Sequence, residues 1–173
     1  MTLIHENPST LITLKNNQIQ KKYKSGKVPP KFSDPTWLKA YSDLYDFSNI
    51  VPKIYGIEGD TILMEYIEGT PLNLLLRTWS KNYDNNFKEI AHWTSKALEL
   101  LQIQFNYCEV ADHPILHTDL WAGNIIIRED DSLCIVDPDE FELYPWKSTL
   151  LGHLAILFKL NYHLDKNSDK KRQ

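Results

Sequence analysis

The stretch from Asn124 to Asp137 constrains this chain more than any other. Ile125-Ile126-Ile127 is followed by the polar run Arg128 to Ser132 and then by Leu133-Cys134-Ile135-Val136. Apolar, β-branched runs bounded by turn residues are strand signals. A strand out, a turn over Glu129 to Ser132 and a strand back return the chain to its starting point. Asn124 and Asp137, thirteen residues apart in sequence, therefore become neighbours in space. The hairpin holds an amide and a carboxylate side by side at one end.

A second hairpin is written near the N-terminus. Thr10 to Leu14 and Gln18 to Lys21 flank Lys15-Asn16-Asn17, where asparagine tolerates the positive φ of a tight turn. A further strand is expected over Leu3 to His5. Lys24 to Pro35 reads as a loop, after which Asp34 or Ser33 caps a helix with Pro35 in its first turn. Trp37, Leu38, Tyr41, Leu44 and Tyr45 recur on that helix at helical spacing. Strands over Lys53 to Ile57 and Thr61 to Tyr66 are joined by Glu58-Gly59-Asp60. Past Gly69 the period changes from two to nearly four. Pro71 to Trp79 is a short helix, Asn82 to Asn86 a polar loop. Phe87, Ile90, Ala91, Thr94, Ala97, Leu98, Leu101 and Phe105 form the stripe of a long amphipathic helix, predicted as core. Leu150 to Leu164 reads as helix and Lys166 to Gln173 as a polar tail.

Composition excludes several classes. Five Trp, nine Tyr and six Phe in 173 residues supply a packed interior, which removes disordered and low-complexity readings. A net charge of −4 gives no basic footprint for nucleic acid. Cys108 and Cys134 have no metal-ligand neighbour at CxxC spacing and read as free, buried thiols of a reducing compartment. The first residues lack a secretory pattern. Leu150 to Leu160, the most apolar stretch, is broken by His153 and Lys159 and falls short of the ~20 residues of a membrane span. These readings predict a soluble, cytoplasmic protein with neither nucleic acid nor membrane as partner.

The chemistry concentrates in His117-Thr118-Asp119-Leu120-Trp121-Ala122-Gly123-Asn124, with Asp137 returned beside it. An amide oxygen and a carboxylate are hard ligands suited to Mg²⁺, which fills its remaining positions with water and phosphate oxygens. Asp119, on the same loop, can accept a proton from an attacking hydroxyl. Each residue alone has a structural reading: Asp119 capping a turn, Asn124 in a left-handed bend, Asp137-Pro138 ending a strand. Their joint placement around an apolar hairpin favours the metal reading. A competing pattern, His117-x-Asp119 with a distal His153 or His163, matches two-histidine, one-carboxylate iron sites. That pattern needs a barrel scaffold, and this chain places helices around both ends of it.

His117-x-Asp119-x4-Asn124 followed by Ile135-Val136-Asp137 resembles the catalytic loop and metal-binding aspartate of the protein-kinase-like superfamily. Gly123, Trp121 and Asp137-Pro138-Asp139 resemble the branch of aminoglycoside phosphotransferases, choline kinases and fructosamine kinases. Ile62 to Leu72 is similar to that branch's last N-lobe strand and hinge, Val51 to Gly56 to the strand before it, and Ile19 to Tyr23 to the strand bearing a phosphate-contacting lysine. The resemblance covers residues 10 to 141. It implies an α+β, two-lobed protein-kinase-like fold: an N-lobe of small antiparallel sheet plus one helix over 1–68, a truncated, mainly helical C-lobe over 69–165, and a tail over 166–173.

The resemblance also implies roles. Asp119 is the catalytic base; Asn124 and Asp137 hold Mg²⁺ between the phosphates of ATP. Lys21 contacts those phosphates, with Lys22 as its rival, since strand alternation turns only one of them inward. The backbone of Glu65 and Ile67 bonds adenine, and Met64 lines the pocket. His117 braces the loop, and Asp139 either assists the metal or forms a turn. The implied reaction moves the γ-phosphoryl group to a hydroxyl or amine of a small, sugar-like acceptor, with a protein acceptor as one alternative and a kinase-like pseudoenzyme, binding nucleotide or protein, as another.

Three departures from the pattern stand out. Glu6 to Thr10, where the family has a glycine-bearing phosphate loop, contains no glycine. The first helix offers Asp34 or Asp43 but no clear glutamate to pair with the lysine. Thr118 replaces the arginine through which many protein kinases answer activation-loop phosphate, so that regulation is not expected. Tyr144, Trp146 and His153 are candidates for the acceptor site, with packing the simpler role for each. The short run after Asp137 implies an acceptor site that is open, or completed by a second copy or a partner protein.

Overall fold

The computed structural model describes residues 1–79 and 86–143. Its first half is a five-stranded antiparallel sheet in the order β1-β2-β3-β5-β4, comprising β1 (Thr2–Glu6), β2 (Thr10–Lys15), β3 (Gln18–Tyr23), β4 (Ile54–Glu58) and β5 (Thr61–Glu65). Asn16 and Asn17 both take positive φ, 51° and 60°, and set the β2–β3 register of Lys15 opposite Gln18. Two consecutive left-handed residues are what a two-residue hairpin of native twist requires. β3 then pairs with β5, placing Lys21 opposite Ile62. β3 is thus a central strand, and one face of it looks into the molecule.

Helix α1 (Pro35–Ser48) begins as the sequence predicts, with Asp34 accepting from the Thr36 N–H and Pro35 in the first turn. It ends at Asn49, whose left-handed φ of 52° satisfies the cap. Trp37, Ala40, Tyr41 and Leu44 are buried. A ladder of rings runs from Phe32 through Trp37, Tyr41 and Phe141 to His117, each step 4.9 to 5.3 Å between centroids. Edge-to-face and offset contacts of this kind add to the burial of the rings themselves. The ladder carries the core of the sheet lobe directly to the segment that begins at His117.

In the second half, β6 (Thr70–Pro71), β8 (Ile125–Ile127) and β9 (Leu133–Ile135) form a three-stranded sheet, while β7 (Ile115–His117) pairs with β10 (Phe141–Leu143). Helices α2 (Leu72–Trp79) and α3 (Phe87–Val110) complete the described residues. The α+β architecture, an antiparallel sheet lobe followed by helices and small sheets, is the fold class expected. The strands β6, β7 and β10 have two or three residues each, too few to leave a periodic signal.

One expectation about α3 needs correcting. Phe87 and Leu98 of the predicted stripe are exposed, as are Ala91 and Thr94. The buried arc instead runs through Trp93, Ala97, Leu100, Leu101, Gln104, Tyr107 and Cys108. The helix is apolar on more than one arc, and packing against α1 and the β9 strand selects among them: Tyr107 donates its hydroxyl to the Ala40 carbonyl at 2.7 Å. The helix predicted over Leu150 to Leu164, the tail from Lys166, and most of the Asn82 to Asn86 loop lie outside the described residues, as do Tyr144, Trp146, His153 and His163. Among the described residues, no helix is long and apolar enough to cross a membrane.

Candidate active site

The β8–β9 hairpin pairs Ile125 with Ile135, and the Val136 N–H donates to the Asn124 carbonyl at 2.8 Å. Asn124 and Asp137 accordingly flank the same end of the hairpin, as the spacing predicts. The Asn124 side-chain nitrogen donates to the Asp119 backbone carbonyl at 3.0 Å. That bond fixes the amide's orientation and leaves its oxygen as the atom a cation would meet. Gly123 makes the turn possible: a Cβ there would lie 2.3 Å from the Trp121 ring. Asp137 has φ 72° and ψ 73°. Left-handed backbone at a residue other than glycine is uncommon outside asparagine and aspartate, and it clusters at functional sites.

The loop is braced from behind. His117 is fully buried, its Nε2 lies 3.2 Å from the Val136 carbonyl, and its ring packs edge-on against Phe141. Burial holds the imidazole neutral and pulls its pKa down to about 4. Both the N–H and the hydroxyl of Thr118 donate to the Glu140 carbonyl, at 2.7 and 2.9 Å. Burial, and then the charges of Asp137 and Asp119, push the Glu140 carboxyl above its ordinary range. His117 thus lies buried behind the loop, and the distal partners of the iron pattern, His153 and His163, lie outside the described residues.

Strand alternation separates the two candidate lysines. Lys21 is buried, and its Nζ lies 2.6 Å from Asp137 and 3.0 Å from Asp139. Lys22 points to the opposite face, exposed, with Asp60 at 3.5 Å. Asp139 accepts a hydrogen bond from the Tyr23 hydroxyl at 2.5 Å. Burial and that bond push the Tyr23 hydroxyl far above the ordinary tyrosine range, so it stays a donor. Neither helix aspartate reaches the lysine: Asp34 caps its own helix and Asp43 pairs with Lys39 at 2.5 Å. Residue counting along β3 would have paired Lys21 with Tyr23 on one face; nothing local pointed to Asp139 as their shared partner.

The remaining predicted positions are mixed. Met64 is buried in the core cluster on β5. The Glu65 N–H donates to the Lys53 carbonyl at 2.8 Å, and its carboxylate accepts from the Lys53 N–H at 3.0 Å. The Glu65 N–H is thereby committed to the Lys53 carbonyl. Ile67 lies in the linker between β5 and β6, beside Gly69, where a Cβ would fall 2.1 Å from the Ile127 carbonyl oxygen. Between β1 and β2, Asn7 Oδ1 accepts from the backbone N–H groups of Ser9 and Thr10 at 2.9 and 2.6 Å. The asparagine side chain therefore occupies amides that a glycine-bearing loop would offer to phosphate.

These residues suit the metal they are expected to hold. The donor pair is an amide oxygen with its nitrogen already committed and a carboxylate, both hard oxygens of the kind Mg²⁺ takes alongside water and phosphate. A family model described as the ABC1 atypical kinase-like domain matches residues 38–143, more than half of the chain. The chain belongs to the ABC1 atypical kinase-like family. Membership puts it in the protein-kinase-like superfamily. The ABC1 match takes in Asp119, Asn124, Asp137 and the hinge, whereas Lys21 and Tyr23 precede it. A comparison with curated proteins finds no match.

Proposed function

We propose that this ABC1-like chain is an ATP- and Mg²⁺-dependent phosphotransferase. Its acceptor, on this reading, is a hydroxyl or amine of a small, sugar-like molecule, as in the aminoglycoside phosphotransferase branch that its Asp137-Pro138-Asp139 and hinge segments resemble. One observation carries the reading. Lys21, the loop bearing Asp119 and Asn124, and the turn bearing Asp137 come from three separate segments; Lys21 meets Asp137 at 2.6 Å and Asp139 at 3.0 Å, and the Asn124 amide is anchored on the Asp119 carbonyl at 3.0 Å. Burying charge is costly and pairing only offsets that cost, so a buried lysine between two carboxylates supports a site kept for charged ligands.

In the reaction, the acceptor oxygen forms a bond to the γ-phosphorus while the bond from that phosphorus to the β–γ bridging oxygen breaks, releasing ADP. Asp119 takes the acceptor's proton. Lys21 binds and orients the phosphates, and the Glu65 carbonyl and Ile67 N–H receive the adenine. Mg²⁺, held by Asn124 and Asp137 when bound, supplies charge neutralisation between the phosphates. The residues otherwise supply positioning, which for phosphoryl transfer is most of catalysis.

The Asn7 turn favours one second reading, a nucleotide-binding pseudoenzyme, because the loop over the phosphates spends its amides on its own side chain. A single-turnover ATP assay with Asp119→Ala as control separates the two. The phosphotransferase reading expects a loss of about 10²- to 10⁴-fold in the variant with nucleotide still bound. Turnover that persists unchanged in the variant removes Asp119 from its role.

A further inference from the structure

We infer that Asp139 is the positioning residue for Lys21: it holds the ammonium in place when Asp137 turns to the metal, and Tyr23 is the clasp that fixes it. The inference rests on the phosphotransferase reading and adds a residue to it.

The geometry is built from both sides. Lys21 and Tyr23 stand two apart on β3, so the pleat sends both side chains to one face. Both meet the same carboxylate, Tyr23 at 2.5 Å on one oxygen and Lys21 at 3.0 Å on the other. The Lys21 ammonium also sits 5.8 Å from the Tyr23 ring centroid. On the other side, Pro138 restricts the backbone between the two aspartates, and the Glu140 N–H closes the turn onto the Asp137 carbonyl at 3.2 Å. Lys31 donates to the Asp139 and Phe141 carbonyls at 2.6 and 3.1 Å and pairs with Glu142. The Trp37 indole N–H donates to the Phe141 carbonyl at 2.9 Å. Asp139 is thus clamped by four side chains of the sheet lobe and its first helix, directly or through its own turn.

Two carboxylates on one lysine make sense if they have different duties. An oxygen that Asp137 gives to a cation is no longer given to Lys21, and an unpaired buried ammonium would be costly. Asp139 keeps the charge paired throughout. It also occupies the place left open by the helix aspartates, which are spent on a cap and on a surface pair. The lysine's holder then sits two residues from the metal aspartate, on the same turn, and not on α1. Assembly of the site does not wait on a movement of that helix.

The test uses the full chain and three variants: Asp139→Asn, Lys21→Ala and their combination. Asp139→Asn keeps an acceptor for Tyr23 and removes only the charge that Lys21 meets. Binding of ATP with Mg²⁺ should weaken about tenfold in Asp139→Asn. The double variant should bind no worse than Lys21→Ala alone, because the residue acts through the lysine. Unchanged binding in Asp139→Asn, or losses that add in the double variant, overturns the inference. Thermal denaturation should place Asp139→Asn within a few degrees of the parent. If it unfolds instead, Tyr23→Phe gives the milder version of the same loss, and its binding unchanged also overturns the inference. A nucleotide-free measurement separates this inference from the reading beneath it: acetylation of Lys21 by acetic anhydride, followed by mass spectrometry. In an Asp137→Asn background, where Asp139 is the carboxylate left to Lys21, adding Asp139→Asn should raise its labelling several-fold even if the parent binds no ATP. Equal labelling would show that Asp139 does not hold it.

Discussion

Lys21 and Asp137 are 116 residues apart in sequence and 2.6 Å apart in the folded chain. The pair joins the middle strand of the sheet lobe to the residue that follows the β8–β9 hairpin. It is also a pair that nucleotide must rearrange, since the lysine is expected on the phosphates and the carboxylate on the metal. In Asp137→Asn the Mg²⁺-dependent part of ATP binding should disappear. At ATP a hundred times its dissociation constant the parent gains about 2.7 kcal/mol of stability, read as a rise in melting temperature with Mg²⁺ over ATP alone. A Mg²⁺-dependent rise that survives in the variant takes Asp137 out of the ligand set.

Gly123 and Gly69 are both sites where a methyl group has no room, for different reasons. At Gly123 the obstacle is the Trp121 ring, 2.3 Å from where a Cβ would sit, and a side chain can shift. At Gly69 it is the Ile127 backbone carbonyl at 2.1 Å, with φ at +153°, and neither yields. Gly123→Ala should cost about 1–3 kcal/mol in urea denaturation, and Gly69→Ala more. Gly123→Ala should lower turnover beyond its effect on stability, because it displaces the turn that aims Asn124. Equal stability of the Gly69→Ala variant and the parent would contradict the close β6–β8 approach.

His117 supplies a pH dependence of defined sign. Its pKa in the folded chain, about 4, lies below the unfolded value of 6.5. Above pH 6.5 it is neutral in both states and contributes no slope. As pH falls from 6.5 toward 4, the unfolded chain takes up a proton that the buried ring refuses, so stability declines, then levels off. The total decline attributable to this one group is about 3 kcal/mol. Denaturation of the parent and of His117→Asn between pH 7.5 and 4 checks it: the parent should lose more than the variant, by roughly that amount. Parallel curves would place the imidazole in water.

Cys108 and Cys134 are free and buried, and burial pushes each thiol up to about 12. At pH 8 the thiolate fraction is then about one in ten thousand, and the nucleophile is scarce as well as hidden. A disulfide-exchange reagent should leave both thiols untouched in the native chain and modify both in denaturant. Prompt reaction of either in the native state would show that its burial is wrong.

Much of the site was legible because its parts are local. The Asn16-Asn17 turn, the Asp34 cap and the isoleucine hairpin are settled by backbone preferences acting over a few residues, and each appears as its residues predict. The juxtaposition of Asn124 and Asp137 follows from hairpin closure alone. The buried arc of α3 is not legible in the same way, because a helix that is apolar on more than one arc carries no internal sign of which arc meets α1.

What the amino-acid sequence determined by itself, then, was the longer elements, the alternation that lets only one of Lys21 and Lys22 face inward, and the loop bearing Asp119. Which lysine that is, and what it meets, was decided by tertiary structure. Pairing of β3 with β5 on one edge and β2 on the other left one face of β3 toward the Asp137 turn, and Lys21 and Tyr23 stand on that face. The aromatic ladder from Phe32 to His117 and the Lys31 and Trp37 bonds then hold that turn against the strand. Local preference cannot encode such a meeting, because its free energy exists only once residues more than a hundred positions apart have left water together.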